Sequence, residues 1–337
     1  MSDYETFELG DVTLQSGDTL RDARLAFKTY GELNEKRDNA VVFPTAYGGQ
    51  HTDNEQIIRQ GMALDPTKYF ILVPNMFGNG LSSSPTNTPP PLDRARFPRV
   101  SIYDNVVCQQ RLVTERLGVR KIALVTGWSM GALQTNQWGC LYPEMVERIL
   151  PYCGSARTSR HNIVFLEGVK AALTADEAFQ GGRYEQPPAR GLRAMARVYA
   201  GWAVSQAFYR EEVYLQAGYS SIEEYLVGFW EARLLGRDAN NLLAMLWTWQ
   251  NADASANPRF QGDFAATMGA ITAKAIVMPS KTDLYFPPED NEHEVNLMPN
   301  AELRPFPSIW GHMAGAPGLN PDDVAFLDQA MKELLAS

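Results

Sequence analysis

A serine hydroxyl carries covalent chemistry only where the backbone lifts it clear of its neighbours and sets a base and an anion-stabilising dipole beside it. Residues Gly127-Trp128-Ser129-Met130-Gly131 have the spacing for such a position. They follow the apolar run Lys121–Thr126, which reads as a strand, and they precede a helix expected over Met130 to Tyr142. Glycine two residues on either side of Ser129 leaves no Cβ to obstruct a sharp strand-to-helix turn. The helix that follows would aim its first amides at the same spot, where a developing oxyanion gains from them. The chemistry such a turn serves is acyl transfer through an acyl-serine. The pentapeptide alone does not establish it, because GxSxG also occurs in ordinary loops.

Strand, GxSxG and helix in this order fit the nucleophile elbow of the α/β-hydrolase fold, in which serine, acid and histidine follow one another along the chain. The four histidines are His51, His161, His293 and His312. His51 precedes the elbow, His161 follows it too closely, and His293 lies in the charged stretch Asn291-Glu292-His293-Glu294. His312, in the glycine-flanked loop Trp310-Gly311-His312-Met313-Ala314 after the last apolar run, is the expected base. Asp283 is the expected acid that holds the imidazole tautomer, reached from an apolar strand through Pro279-Ser280-Lys281-Thr282; Glu289 and Asp290 are alternatives. One oxyanion amide is expected from Met130, the residue after the nucleophile, and the second from Pro44-Thr45-Ala46-Tyr47-Gly48-Gly49. Tyr47 is preferred, and Pro44 is excluded because it has no N–H. Trp128, beside the nucleophile, is expected to contact substrate.

To position these groups the chain needs a sheet. Eight runs read as strands: Phe7–Leu14, Arg24–Tyr30, Ala40–Phe43, Tyr69–Val73, Ile122–Thr126, Ile149–Tyr152, Ala275–Met278 and Glu302–Pro305. The first two are amphipathic, as an antiparallel entry would be. Most of the later ones are continuously apolar, as a parallel sheet covered on both faces requires. The fold class expected is therefore α/β, an α/β-hydrolase fold with a mostly parallel, doubly wound sheet. From Ala156 to Met268 the rhythm changes to helical periodicity, over Gly191–Ser205, Ile222–Leu235 and Asn240–Trp249. This stretch holds Trp202, Trp230, Trp247 and Trp249 with Tyr199, Phe208, Tyr209 and Phe229. It is expected to form a helical lid, 156–268, inserted into a core of 1–155 and 269–337. Most of these aromatics should pack helix on helix, and a few should face the cleft, because a lid over an acyl-enzyme needs apolar lining. Asn75–Arg99, rich in Gly, Ser, Asn and Pro, is expected to be an ordered loop.

Composition narrows the partners. A chain of 337 residues with 45% apolar and 20% charged residues is ordinary globular material. A net charge of −9, from 30 basic against 39 acidic residues, argues against nucleic acid. The three cysteines, Cys108, Cys140 and Cys153, form no CxxC pair, which disfavours a cysteine-built zinc site and fits a reducing compartment. Met1-Ser2-Asp3-Tyr4-Glu5 has neither the basic nor the apolar region of a secretory signal, and no apolar run reaches the ~20 residues of a membrane helix. A cytoplasmic protein without metal or other cofactor is expected.

The motifs together resemble the homoserine O-acyltransferase-like family of α/β-hydrolases over nearly the whole chain. Lys28-Thr29-Tyr30-Gly31-Glu32-Leu33-Asn34, followed by Asn39-Ala40-Val41-Val42, is similar to that family's opening. So are Asn75-Met76-Phe77-Gly78-Asn79-Gly80-Leu81-Ser82, the elbow with Gln134 after it, and Phe179-Gln180-Gly181-Gly182-Arg183-Tyr184. Arg237-Asp238-Ala239-Asn240 and Thr282-Asp283-Leu284-Tyr285-Phe286-Pro287-Pro288-Glu289 match as well. The resemblance implies the same triad of Ser129, Asp283 and His312, and, with the aromatic lid, a homodimer. Three departures bear on substrate. Family acyltransferases carry an acidic residue directly after the histidine, where this chain has Met313. They carry a lid arginine and, seven residues on, a tyrosine for the amino-acid acceptor; here Arg197 aligns with the arginine, and the tyrosine position falls on Val204. Their HALTG-like phrase is here Thr45-Ala46-Tyr47-Gly48-Gly49.

An acceptor site for a zwitterion needs fixed polar partners, and their loss leaves a more apolar pocket. The leading expectation is thus a serine esterase acting on a small-molecule, acetate-type ester, with Arg197 and Trp128 as substrate contacts. The alternative is an O-acetyltransferase that passes the same acyl group from acetyl-CoA to homoserine or another alcohol. A noncatalytic binding protein on the same scaffold is the third expectation, since fold does not guarantee function.

Overall fold

The computed structural model describes residues 3–337. Eight strands form one sheet: β1 (Glu5–Thr13), β2 (Thr19–Tyr30), β3 (Ala40–Val42), β4 (Phe70–Pro74), β5 (Ile122–Trp128), β6 (Arg148–Tyr152), β7 (Lys274–Val277) and β8 (Ala301–Leu303). Their spatial order is β1-β2-β4-β3-β5-β6-β7-β8. β2 is antiparallel to both β1 and β4, and every pairing from β4 through β8 is parallel. All eight expected strands are present, with ends shifted by a few residues, and the mostly parallel α/β architecture stands as read from the sequence.

Alternation along each strand splits the core in two. In β4, Leu72 points into the larger apolar cluster, while Ile71 and Val73 point into the second. The second cluster includes Leu327, Ala330, Met331 and Leu334 of the last helix. At roughly 1.5–3 kcal/mol per fully buried aliphatic side chain, covering both faces is what makes a short strand such as β3 tenable. The middle of β2 is held by the loop after β4. Ser82 and Ser83 accept hydrogen bonds from the amides of Ala26 and Arg24 (2.9 Å each), and Ser82 donates to the Asn75 carbonyl at 2.7 Å. These bonds order the loop expected over Asn75–Arg99.

The helices are α1 (His51–Asn54), α2 (Ile102–Arg111), α3 (Met130–Leu141), α4 (Arg160–Thr174), α5 (Ala189–Ala203), α6 (Gln206–Arg210), α7 (Val213–Gln216), α8 (Ile222–Tyr225), α9 (Ala232–Leu235), α10 (Ala239–Gln250), α11 (Phe264–Gly269), α12 (Pro288–Leu297) and α13 (Pro321–Ala336). α4 to α11 all lie between β6 and β7 in the chain; the aromatic residues noted above lie in α5, α6 and α10, except Phe229 and Trp230, which lie between α8 and α9. One helix expected over Ile222–Leu235 is α8 and α9 joined by a wide, π-type turn at Leu226–Glu231. A π-turn rotates everything after it relative to a 3.6-residue period, so periodicity alone places the later residues on the wrong face. Ser205, expected to end the preceding helix, instead caps α6 by accepting from the Phe208 amide at 3.0 Å.

Candidate active site

Ser129 stands between β5 and α3 with φ 59° and ψ −121°, an unfavourable conformation for a residue with a Cβ. The surroundings enforce it. A Cβ on Gly127 would fall 2.5 Å from the carbonyl group of Gly131, one on Gly131 would fall 2.8 Å from the Pro44 oxygen, and one on Gly154 would meet the Ser129 oxygen at 2.7 Å. Each approach is possible only for glycine. Gly127 and Gly131 therefore have the role that their spacing suggested, and the turn is also braced by the Ser129 amide donating to the Tyr152 carbonyl at 3.1 Å.

Ser129, Asp283 and His312 come from three separate loops and meet in one chain of hydrogen bonds. His312 Nε2 lies 3.0 Å from Ser129 Oγ, and its Nδ1 lies 2.8 Å from Asp283 Oδ2. A carboxylate can only accept, so Nδ1 carries the proton and Nε2 offers its lone pair to the serine. Asp283 is fixed in turn, because its Oδ1 accepts from the amides of Tyr285 (2.7 Å) and Phe286 (3.2 Å). The acid and histidine loops are tied together through Thr282, which donates to the Ser308 carbonyl (2.9 Å) and accepts from the Gly311 amide (3.1 Å). Trp128 stacks on the imidazole with ring centroids 5.1 Å apart and donates to the His312 carbonyl at 3.1 Å. Asp290 and Glu289 sit in the first turn of α12, and His293 is exposed on the same helix; none of them joins this chain.

A cavity of about 40 Å³ opens over Ser129. This is the space open to water centres, and at roughly 10–15 Å³ per water it gives room for about three waters, a space suited to a small acyl group. Ala46, Tyr47 and Gly48 form one wall, with Trp128, His312 and Met313 around the serine. The amides of Met130 and Tyr47 find no acceptor among the described residues, as the first amide of a helix and a loop amide at a cavity wall can afford only where a ligand or water satisfies them. The Tyr47 hydroxyl donates to the Leu242 carbonyl of α10 at 3.1 Å, so this loop is pinned to the helical segment above it.

Arg197 requires a correction. It does not line the cavity. Three of its five N–H groups donate to Glu231 (2.5 Å) and Glu223 (2.5 and 3.0 Å), carboxylates 34 and 26 residues away in sequence, which pair its charge away from the cavity. Val204, at the position of the family's tyrosine, is buried against the histidine loop: a Cβ on Gly311 would come within 2.9 Å of its backbone. The residues that do reach the cavity from the helical segment are Tyr199, Trp230, Arg233, Leu234, Arg237 and Leu242. Of the four tryptophans in that segment only Trp230 lines the cavity; Trp202 instead packs on Phe165 and His161, with centroids 5.0 Å apart in each case. Trp230, Arg233, Leu234 and Arg237 recur at i, i+3, i+4 and i+7, the spacing of one helix face, and that face is the one turned to Ser129.

The scattered histidines gave no metal site by spacing, yet Asp3, His51 and Glu55 place three ligand atoms within 4.8 Å of one another. Both nitrogens of His51 are already engaged, Nε2 by Asp3 at 3.1 Å and Nδ1 by Asn75 at 3.2 Å. The cluster lies in the entry region and shares no residue with the Ser129 cavity.

Comparison with known proteins agrees with this architecture. The family described as alpha/beta hydrolase fold matches residues 39–314. The chain is 39% identical over 340 residues to an ethyl acetate hydrolase of Pseudomonas veronii, covering 99% of this chain and 96% of that one. It is 30% identical over 317 residues to a homoserine O-acetyltransferase of Trichormus variabilis, covering 89% and 86% respectively. The crystal structure of the acetyl esterase MekB superposes with a TM-score of 0.97 at 39% identity, covering 100% of this chain and 97% of that one.

Proposed function

This chain belongs to the alpha/beta hydrolase fold family, and from that premise we propose that it is a serine esterase of short-chain, acetate-type carboxylic esters. Ser129 is the nucleophile, His312 the general base and then acid, and Asp283 the group that holds His312 in its working tautomer. Ser129 Oγ attacks the ester carbonyl as its proton passes to His312 Nε2, and the tetrahedral oxyanion lies against the amides of Met130 and Tyr47. The carbon–oxygen bond to the alcohol breaks, the alcohol takes the proton from His312, and an acyl-serine remains. Water, deprotonated by His312, then attacks the acyl carbon and releases the acid and free Ser129.

The observation that carries this proposal is the Ser129–His312–Asp283 hydrogen-bond chain, with Ser129 and His312 lining a small cavity that Tyr47 also lines, and with the Tyr47 amide and the first amide of α3, at Met130, both without an acceptor among the described residues. The similarity to an ethyl acetate hydrolase and to an acetyl esterase points the same way on chain length. Against transfer to an amino-acid alcohol stands the pairing of Arg197 with Glu223 and Glu231, outside the residues that line the cavity, where it meets no substrate carboxylate. The test is to supply ethyl acetate with and without homoserine and to quantify acetate against O-acetylhomoserine. Acetate released at the same rate in both cases is expected. Acetyl transfer that outpaces hydrolysis would overturn the proposal.

We assign residues 156–268 the part of a lid over this cavity. The exposed apolar side chains Leu215, Ile222, Val227 and Leu235 within it support a homodimer formed through the lid, which light scattering would detect as twice the chain mass. Three free, buried cysteines support a reducing compartment, the cytoplasm, as the place of action.

A further inference from the structure

Two cations on the cavity wall have no part in the acyl-serine chemistry. Arg233 in α9 and Arg237 just beyond its end share the cavity with Ser129, His312 and Met313. Both are half-buried, and most of the remaining wall is apolar or aromatic. Charge withdrawn from water in this way needs a counter-charge. Little is supplied. Arg237 reaches one carboxylate, Asp53, at 3.8 Å, and the same Asp53 oxygen already accepts from the Gln50 amide at 2.8 Å. Arg233 has no ion pair among the described residues, whereas nearby Arg193 and Arg197 both have Glu231. Burial lowers the pKa of Arg237, Asp53 offsets part of that effect, and the charge of Arg233 lowers it further. Two guanidinium groups near each other, short of anions and facing a substrate cavity are arranged as an anion receptor.

We infer that Arg233 and Arg237 form an anion subsite for a carboxylate on the alcohol half of the ester, so that the enzyme prefers acetate-type esters of small hydroxy acids. The inference rests on the esterase proposal for its chemistry but not for its geometry. The alcohol half is selected because the acyl group must lie at Ser129, among the buried residues Ala46, Met313 and His312, while the two arginines are among the cavity residues that also reach solvent, where a leaving alcohol departs. A carboxylate suits both the fork of a guanidinium and the limited volume available. Hydrolysis then yields acetate and a free hydroxy acid, whose carboxylate remains on the arginines until it exchanges with water.

Binding and turnover test this separately. In Ser129→Ala protein, which cannot form an acyl-enzyme, calorimetry would compare acetoxyacetate with its neutral analogue acetoxyacetamide. Binding of the carboxylate about tenfold or more tightly is expected, as for a charge-assisted hydrogen-bonded pair. In the Ser129 enzyme, R233Q and R237Q should each reduce the ratio of kcat/KM for acetoxyacetate over acetoxyacetamide by about tenfold. Equal binding of the two compounds to the Ser129→Ala protein would overturn the subsite, and because both arginines are intact there, that result does not depend on whether either arginine variant folds. An unchanged ratio in both well-folded variants would overturn it as well. Should the Ser129 enzyme hydrolyse neither compound while the Ser129→Ala protein still prefers the carboxylate, the esterase proposal fails and the subsite stands.

Discussion

At Ser129 the requirements of chemistry and of stability oppose each other. The backbone at φ 59° and ψ −121° exposes Oγ to His312 and the cavity, and for a residue with a Cβ it costs of the order of 1–3 kcal/mol. Ser129→Gly should therefore remove activity and raise the free energy of unfolding by about 1 kcal/mol. Urea denaturation would check it, and a loss of stability would contradict the strain assigned to the turn. Asp283 makes a different prediction. In Asp283→Asn the amides of Tyr285 and Phe286 still find an acceptor, but the new NH₂ group would face His312 Nδ1 and move the imidazole proton to Nε2. The histidine could then no longer take the serine proton, so kcat for ethyl acetate should fall by about 10⁴ near neutral pH with the fold intact. A variant within tenfold of the native rate would remove Asp283 from the mechanism.

Between elements, the histidine loop is positioned from two sides. Thr282 ties it to the acid loop, and the segment joining α5 to α6 presses on it from above. Gly311 sits at φ 60°, and a Cβ there would come within 2.8 Å of the Ser205 amide nitrogen and 2.9 Å of the Val204 backbone. Backbone cannot give way as a flexible side chain would. Gly311→Ala should destabilise the protein by roughly 1–3 kcal/mol and shift His312 away from Ser129, lowering kcat by more than about tenfold. A thermal melt together with ethyl acetate turnover reads both effects. Normal turnover in a destabilised variant would mean that the histidine loop does not depend on this contact. Where the family's tyrosine would stand, Val204 is buried and does not line the cavity, and its backbone abuts the histidine loop.

Across the molecule, burial of one carboxylate links the sheet to α12. Glu294 accepts from the Ala156 amide at 2.6 Å and from Asn291 at 2.8 Å, and Asn291 also donates to the carbonyl of Gly154, the residue that abuts Ser129. Burial raises the Glu294 pKa to about 8, against an ordinary value of 4.5. Between those two values the unfolded chain has released a proton that the folded one retains. Stability contributed by Glu294 therefore falls as pH rises from about 4.5 to about 8, and changes little outside that window. Glu294→Gln removes the titration, so its stability relative to the native protein should improve steadily between pH 5 and pH 8 in urea denaturation. A difference independent of pH would show that Glu294 ionises in the folded protein as it does in the unfolded chain.

The sequence by itself determined the eight strands, the parallel core, and the order of Ser129, Asp283 and His312. Those features follow from local causes: alternation and apolar runs define strands, glycine spacing permits the elbow, and a fold of this type fixes the chain order of its loops. What it did not determine were pairings across long separations. Arg197 was legible as a family position, but Glu223 and Glu231 decide where its charge points. Trp230, Arg233, Leu234 and Arg237 share the spacing of one helix face at the end of the π-turn Leu226–Glu231, but only tertiary packing sets that face against the cavity. Cavity walls are made of residues brought together from distant segments, and each one's direction is set by packing and by charge partners rather than by its neighbours in sequence. Only the tertiary structure could exchange Arg197 for Arg233 and Arg237 beside Ser129.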